Sequence, residues 1–161
     1  MLIWVALLMA QAAAPSQIDR GEALFMDPAL GCGSCHALKG KGTAVGPDLK
    51  GIARLSPAAI VMAVRSTVTQ YVQVVKLKGG DSFPAFPPAA GSDPVKVYDL
   101  SKTPPELHEA ARADLSMSPN QTWKHPPVTR KYTDEQMADI IAYIKYAGAN
   151  SRTPVDPADV K

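Results

Sequence analysis

The chain has 161 residues, of which 46% are hydrophobic and 20% charged, with 15 prolines and a formal net charge of +2. That is an ordinary globular composition of one-domain size. No apolar run reaches the ~18 residues of a spanning helix, which excludes a chain of several spanning helices, and so small a net charge gives no footing for nucleic-acid binding. Two cysteines cannot build a disulfide scaffold and three histidines limit any metal site. Both cysteines and one histidine nevertheless fall in a single five-residue stretch.

Residues 2 to 10 form an apolar block, and Ala10-Gln11-Ala12 fits the small-x-small pattern of a signal peptidase site. We therefore expect a signal peptide over 1–12. The n-region carries neither Lys nor Arg, so an uncleaved anchor is the alternative. The domain then covers 16–149, followed by a flexible tail over 150–161. A first helix is expected over 18 to 25, with Gly21 and Phe25 on one face. Pro28 and Gly31 end it, and residues 37 to 54, rich in Gly, Lys and Pro, read as loop. Ser56-Pro57 is an N-cap followed by a first-turn proline, which starts a helix running to about Thr67.

From Tyr71 the period changes. Residues 72 to 77 and 95 to 100 are β-branched and partly alternating, as in two short strands. The proline-rich run 83 to 88 between them reads as an extended loop. Pro104-Pro105 suggests another helix, to about Leu115, and 116 to 132 reads as loop. Thr133 to Gln136 is a capping box. Met137, Ile140, Ile141, Ile144 and Ala147 follow as an apolar stripe, with Gly148 at the place of a C-cap glycine.

Cys32-Gly33-Ser34-Cys35-His36 is the attachment pattern of c-type haem. Two thiols three residues apart on one turn can reach both vinyl groups on one porphyrin edge, and the next residue carries its imidazole under the ring. A thioredoxin-like dithiol would need a strand–helix–strand context, and a glycine-rich loop follows instead. Structural zinc would need a second ligand pair. A plain disulfide leaves His36 without a reason.

The surroundings of the motif resemble the class I cytochrome c family. Gly21-x-x-x-Phe25 is similar to that family's N-terminal helix, whose glycine lets the last helix cross closely. Gly46-Pro47-Asp48-Leu49 is similar to its glycine-proline-x-leucine segment, which implies that the Pro47 carbonyl accepts the His36 N–H and that Leu49 lines the cofactor. Ile140-x-x-Tyr143 resembles the aromatic-bearing terminal helix. The likeness covers 18 to 66 and 117 to 147; residues 71 to 115 form an insertion. A weaker likeness is to haem-binding domains of environmental bacteria, often associated with dehydrogenases. The resemblance implies a mostly α, cytochrome c-like helical domain around one haem c, attached through Cys32 and Cys35, with a small β-hairpin insertion.

For the sixth iron ligand two residues compete. The family usually places Met-Pro-Pro about eight residues before the terminal helix cap, and here that register reads His125-Pro126-Pro127. Met117 lies farther upstream and has the family's habit in its favour. The register favours His125, with Trp123 as a wall of the pocket. Met137 is expected in the core, Met62 as packing on its helix, and His108 as solvated on a charged helix.

Charge is uneven. Residues 36 to 80 hold Lys39, Lys41, Lys50, Arg54, Arg65, Lys76 and Lys78 against Asp48 alone, so +6 sits there in a chain totalling +2. An acidic redox partner is expected from that field. The function expected is single-electron transfer by an exported monohaem cytochrome without catalytic residues, with a periplasmic dehydrogenase as a candidate partner; membrane association would follow only from a retained N-terminal segment. A haem-based gas sensor with an open distal site is the competing reading; a peroxidase or a dithiol oxidoreductase stands behind it.

Overall fold

The computed structural model describes residues 14–29, 31–66, 69, 71–88, 90–120, 122–125 and 132–161. The signal-peptide reading of 1–12 lies outside them, as do Pro126 and Pro127.

Helix α1, Gln17–Phe25, starts at Ser16, whose hydroxyl accepts the Asp19 N–H while the Asp19 carboxylate accepts the Ser16 N–H. Helix α3, Asp134–Ala149, starts in the same way at Thr133 and Gln136. The two helices cross at Gly21. A Cβ there would lie 1.9 Å from the Asp139 carbonyl oxygen, so only glycine allows the backbones so close. Phe25 and Tyr143 pack beside the crossing with ring centroids 5.3 Å apart. Arg20 forks onto the buried Asp139 carboxylate through bonds of 2.8 and 2.9 Å. Helix α2, Pro57–Arg65, capped by Ser56, places Ile60 and Val61 against Met137, Ala138 and Ile141 of α3. Met137 is thus core. Met62 is not packing: it points outward, 73% exposed, because Ile60, Val61 and Val64 already occupy the inward face.

The expectation of a mostly α chain is corrected. Of the described residues about 35% are helical and 20% strand, and the strands form two antiparallel sheets rather than one hairpin. Strands β1 (Gln73–Leu77), β2 (Ser82–Ala85) and β5 (Leu115–Pro119) make one sheet in the order β2-β1-β5; β3 (Val95–Asp99) and β4 (Glu106–Ala110) make the other. The expected strands are present as β1 and β3, but they do not pair with each other. The start of the proline-rich loop is β2, an edge strand, where the missing N–H of Pro84 is tolerated. Its carbonyl accepts the Leu100 N–H at 2.9 Å and so ties the two sheets together.

The helix expected after Pro104-Pro105 is β4 instead. Residues 106 to 110 have no apolar helical stripe, and β3, with Val95 and Val97 fully buried, supplies a partner in the register Val97↔His108. Tertiary pairing overrides a weak local preference. His108 is therefore not a solvated helix residue. Its ring stacks on Phe83 at 4.8 Å, and its Nε2 is buried without a hydrogen-bond partner. Val75, Phe83, Ala85 and Val97 form the core of this β module, with Leu77 and Leu115 at its margin.

The C-terminal expectations also change. The left-handed cap of α3 is Asn150, at φ 57°, not Gly148. Gly148 lies inside the helix because a Cβ there would sit 2.4 Å from that of Ala53. Residues 150–161 are not a loose tail: Val155 and Val160 are buried, and the Gln17 carboxamide both donates to the Val155 carbonyl and accepts its N–H, at 2.9 and 3.0 Å. Two valines among prolines and acids were too sparse a signal to read as packing.

Candidate functional site

The motif follows α1 on a tight 3-10 turn, Cys32–Ser34, closed by N–H bonds from Cys35 and His36 to the Cys32 carbonyl at 3.2 and 2.9 Å. Gly33 is buried against α1, where a Cβ would meet Met26 Sδ at 2.9 Å and the Phe25 carbonyl at 3.0 Å. The chain then returns and clamps the motif from outside. Thr43 donates to the Gly33 carbonyl at 2.8 Å, and Val45 and Gly46 donate to that of Cys35 at 3.1 and 2.7 Å. This return needs Gly42, at φ +87°, whose Cβ would fall 2.3 Å from the His36 carbonyl.

His36 Nδ1 lies 2.8 Å from the Pro47 carbonyl. A carbonyl only accepts, so Nδ1 carries the proton and Nε2 is left with its lone pair for a metal. Burial holds the His36 imidazole below its usual pKa, against the opposing effect of the Pro47 bond, and the nearby His125 adds to the lowering. The ring is thereby kept neutral, the form that ligates. Leu49 begins the next 3-10 turn, Leu49–Ile52, capped by Asp48, and packs on the α1–α3 core.

Cys32 and Cys35 are free thiols, both partly buried. Burial pushes the Cys32 thiol up to about 11. Dithiol oxidoreductases need the reverse, a thiol with lowered pKa. Two free thiols one turn apart, with an imidazole oriented to leave Nε2 open, form a donor set that fits covalently attached haem.

On the other side of His36 stands His125. The two rings have centroids 6.0 Å apart and planes 19° apart, and Trp123 meets His125 edge-on at 6.2 Å and 81°. Met117 is fixed in β5, opposite Val75, with 42% of its surface exposed. The ring brought against His36 is that of His125.

Residues 18–66 match the family model Cytochrome c. No curated protein matches the chain. The cytochrome c segment spans α1, the motif, the Pro47 loop and α2, and it implies haem c held covalently by Cys32 and Cys35. It supports a haem-containing electron-transfer protein. No helix among the described residues is long and apolar enough to cross a membrane.

One residue that the sequence did not single out is Asn120. Its side-chain oxygen accepts from the Thr122 N–H, the Thr122 hydroxyl and the Trp123 N–H, at 2.9, 3.1 and 3.0 Å. Asn two residues before Thr is a common turn pattern, and nothing in the sequence marks its side chain as a support for Trp123. Its place beside Trp123 emerges only with β5 and the loop after it.

Proposed function

We propose that this is an exported monohaem electron carrier whose iron is held by His36 on one side and His125 on the other. The observation that carries the reading is the His36–His125 pair. A metal–imidazole bond is about 2 Å, and the His36 and His125 rings, with centres 6.0 Å apart, are near enough that both would reach one metal ion. Haem iron supplies the one-electron chemistry when bound. The chain's own residues do the rest. Cys32 and Cys35 hold the group in place, the Pro47 carbonyl orients His36, and Trp123 borders His125. Leu49 packs on the α1–α3 core beside them.

The export reading rests on the apolar block 2 to 10. An acidic protein is the expected redox partner, and a dehydrogenase that hands over single electrons fits that role. Of the basic residues between 36 and 80, Lys41 pairs with Glu22 and Lys78 with Asp114. Lys50 and Arg54, by contrast, border an open hollow of about 480 Å³ together with Asp48, Gly51 and Gly148. Lys39 and Arg152 lie over the Tyr146 ring, at 5.2 and 4.8 Å.

His125→Ala in the haem-loaded protein tests the ligand assignment. The oxidised wild type should give a low-spin, bis-imidazole EPR signature, and the variant a high-spin spectrum with rapid carbon monoxide binding when reduced. A sulfur-to-iron near-infrared band in the wild type, or an unchanged spectrum in the variant, would remove His125 and return Met117 to consideration.

A further inference from the structure

We propose that Asn120 is the positioning residue for His125, and that the β module serves to anchor the distal ligand. The proposal rests on the reading of His125 as an iron ligand.

The loop bearing His125 leaves the end of β5. That strand is paired along its length with β1, from Leu77↔Leu115 to Gln73↔Pro119, so its last residue is held in a three-stranded sheet. Asn120 is the next residue. One carboxamide oxygen gathers three donors from residues 122 and 123, which fixes the backbone two and three positions ahead. Trp123, held by that bond, sets its indole edge-on to the His125 ring. Rigid support therefore runs without a gap from the sheet to Asn120, to Trp123, to His125. On the proximal side His36 is held by a backbone carbonyl; on the distal side the side chain of Asn120 takes over that work. Ligand orientation is what such outer partners control in metal sites, and their loss commonly costs about ten- to a hundredfold in affinity or activity.

The module's core explains why it can act as a fixed base. Val75 and Ala85 are fully buried, and Phe83 closes on them together with Val97.

The test uses the haem-loaded full chain in four forms: wild type, Asn120→Ala, Asn120→Gln and Asn120→Asp. Aspartate keeps an acceptor oxygen in place, glutamine moves it outward by one methylene, and alanine removes it. The readouts are the low-spin fraction of the ferric protein by EPR and the rate of carbon monoxide binding to the ferrous protein. Alanine and glutamine should raise the high-spin fraction and speed carbon monoxide binding about ten- to a hundredfold, while aspartate restores wild-type behaviour. A purely structural role would lower the melting temperature and leave both readouts unmoved. Should the alanine form not fold, glutamine carries the same comparison. Wild-type spectra and rates in the alanine and glutamine variants, with His125→Ala high-spin, would overturn the role of Asn120 alone. An unchanged spectrum in His125→Ala would overturn the ligand assignment and this proposal with it.

Discussion

At the scale of single residues, glycines and one carbonyl define the proximal side. Gly46 lies against the imidazole itself. A Cβ on it would lie 2.9 Å from His36 Cε1 and 3.2 Å from Nδ1, inside ordinary contact distance. Gly46→Ala must therefore push the imidazole away from the Pro47 carbonyl. That hydrogen bond makes His36 a stronger donor to a metal, and a weaker donor stabilises the oxidised iron less. The expected outcome is a raised midpoint potential, with some high-spin character in the oxidised protein. Redox titration of the variant beside the wild type reads it directly, and an unshifted potential would mean that the ring has room the distances deny.

Elements that draw their stability from local chemistry were legible in the sequence. Ser56 and Thr133 each cap the helix expected of them, because a capping hydroxyl acts within three residues. The motif and its Pro47 bond were legible through resemblance. The β module was legible only in β1 and β3, since β4 forms only against the neighbouring β3 and β5 only against β1, far back along the chain. Glu106–Ala110 has no strand signal of its own until Val95 and Val97 face it. The C-terminal segment failed for the same reason. Val155 and Val160 look isolated in sequence and meet α1, α2 and α3 only in space. Removing residues 151–161 takes away the two buried valines and uncovers the Ile60, Val61, Met137 and Ile141 surface they pack on, at about 1.5–3 kcal/mol per valine as an upper estimate, and leaves Gln17 without its backbone partner. Thermal melts of the haem-loaded truncated and full-length chains should differ by about 10 °C. Coincident melts would show that this segment adds nothing to the core.

Across the whole molecule, two cores divide the work. The helical core around Phe25, Ile140 and Ile144 supports the motif, and the β core around Val75 supports the loop with His125. Charge follows a similar division, with the exposed Lys39, Lys50 and Arg54 on the helical side. If that face meets an acidic partner, electron-transfer rates with a purified acidic redox protein should fall as salt is raised, because the field over exposed charges is screened within about 10 Å at 0.1 M. Charge reversal at Lys50 and Arg54 should lower the rate further at low salt and flatten its salt dependence. Rates indifferent to salt in both proteins would place docking elsewhere.

The crossing of α1 on α3 also has a consequence in time. Arg20 waits for Asp139, 119 positions later, and Gln17 for Val155, 138 positions later. In a chain delivered N-terminus first, Cys32 and Cys35 arrive about a hundred residues ahead of the helix that will cover the approach to them. At the roughly 5–20 residues per second of synthesis, that interval lasts several seconds. The thiols that the finished fold half buries are therefore open during assembly, and Cys32 gains its packing against Ile140, Tyr143 and Ile144 only once the terminal helix has formed.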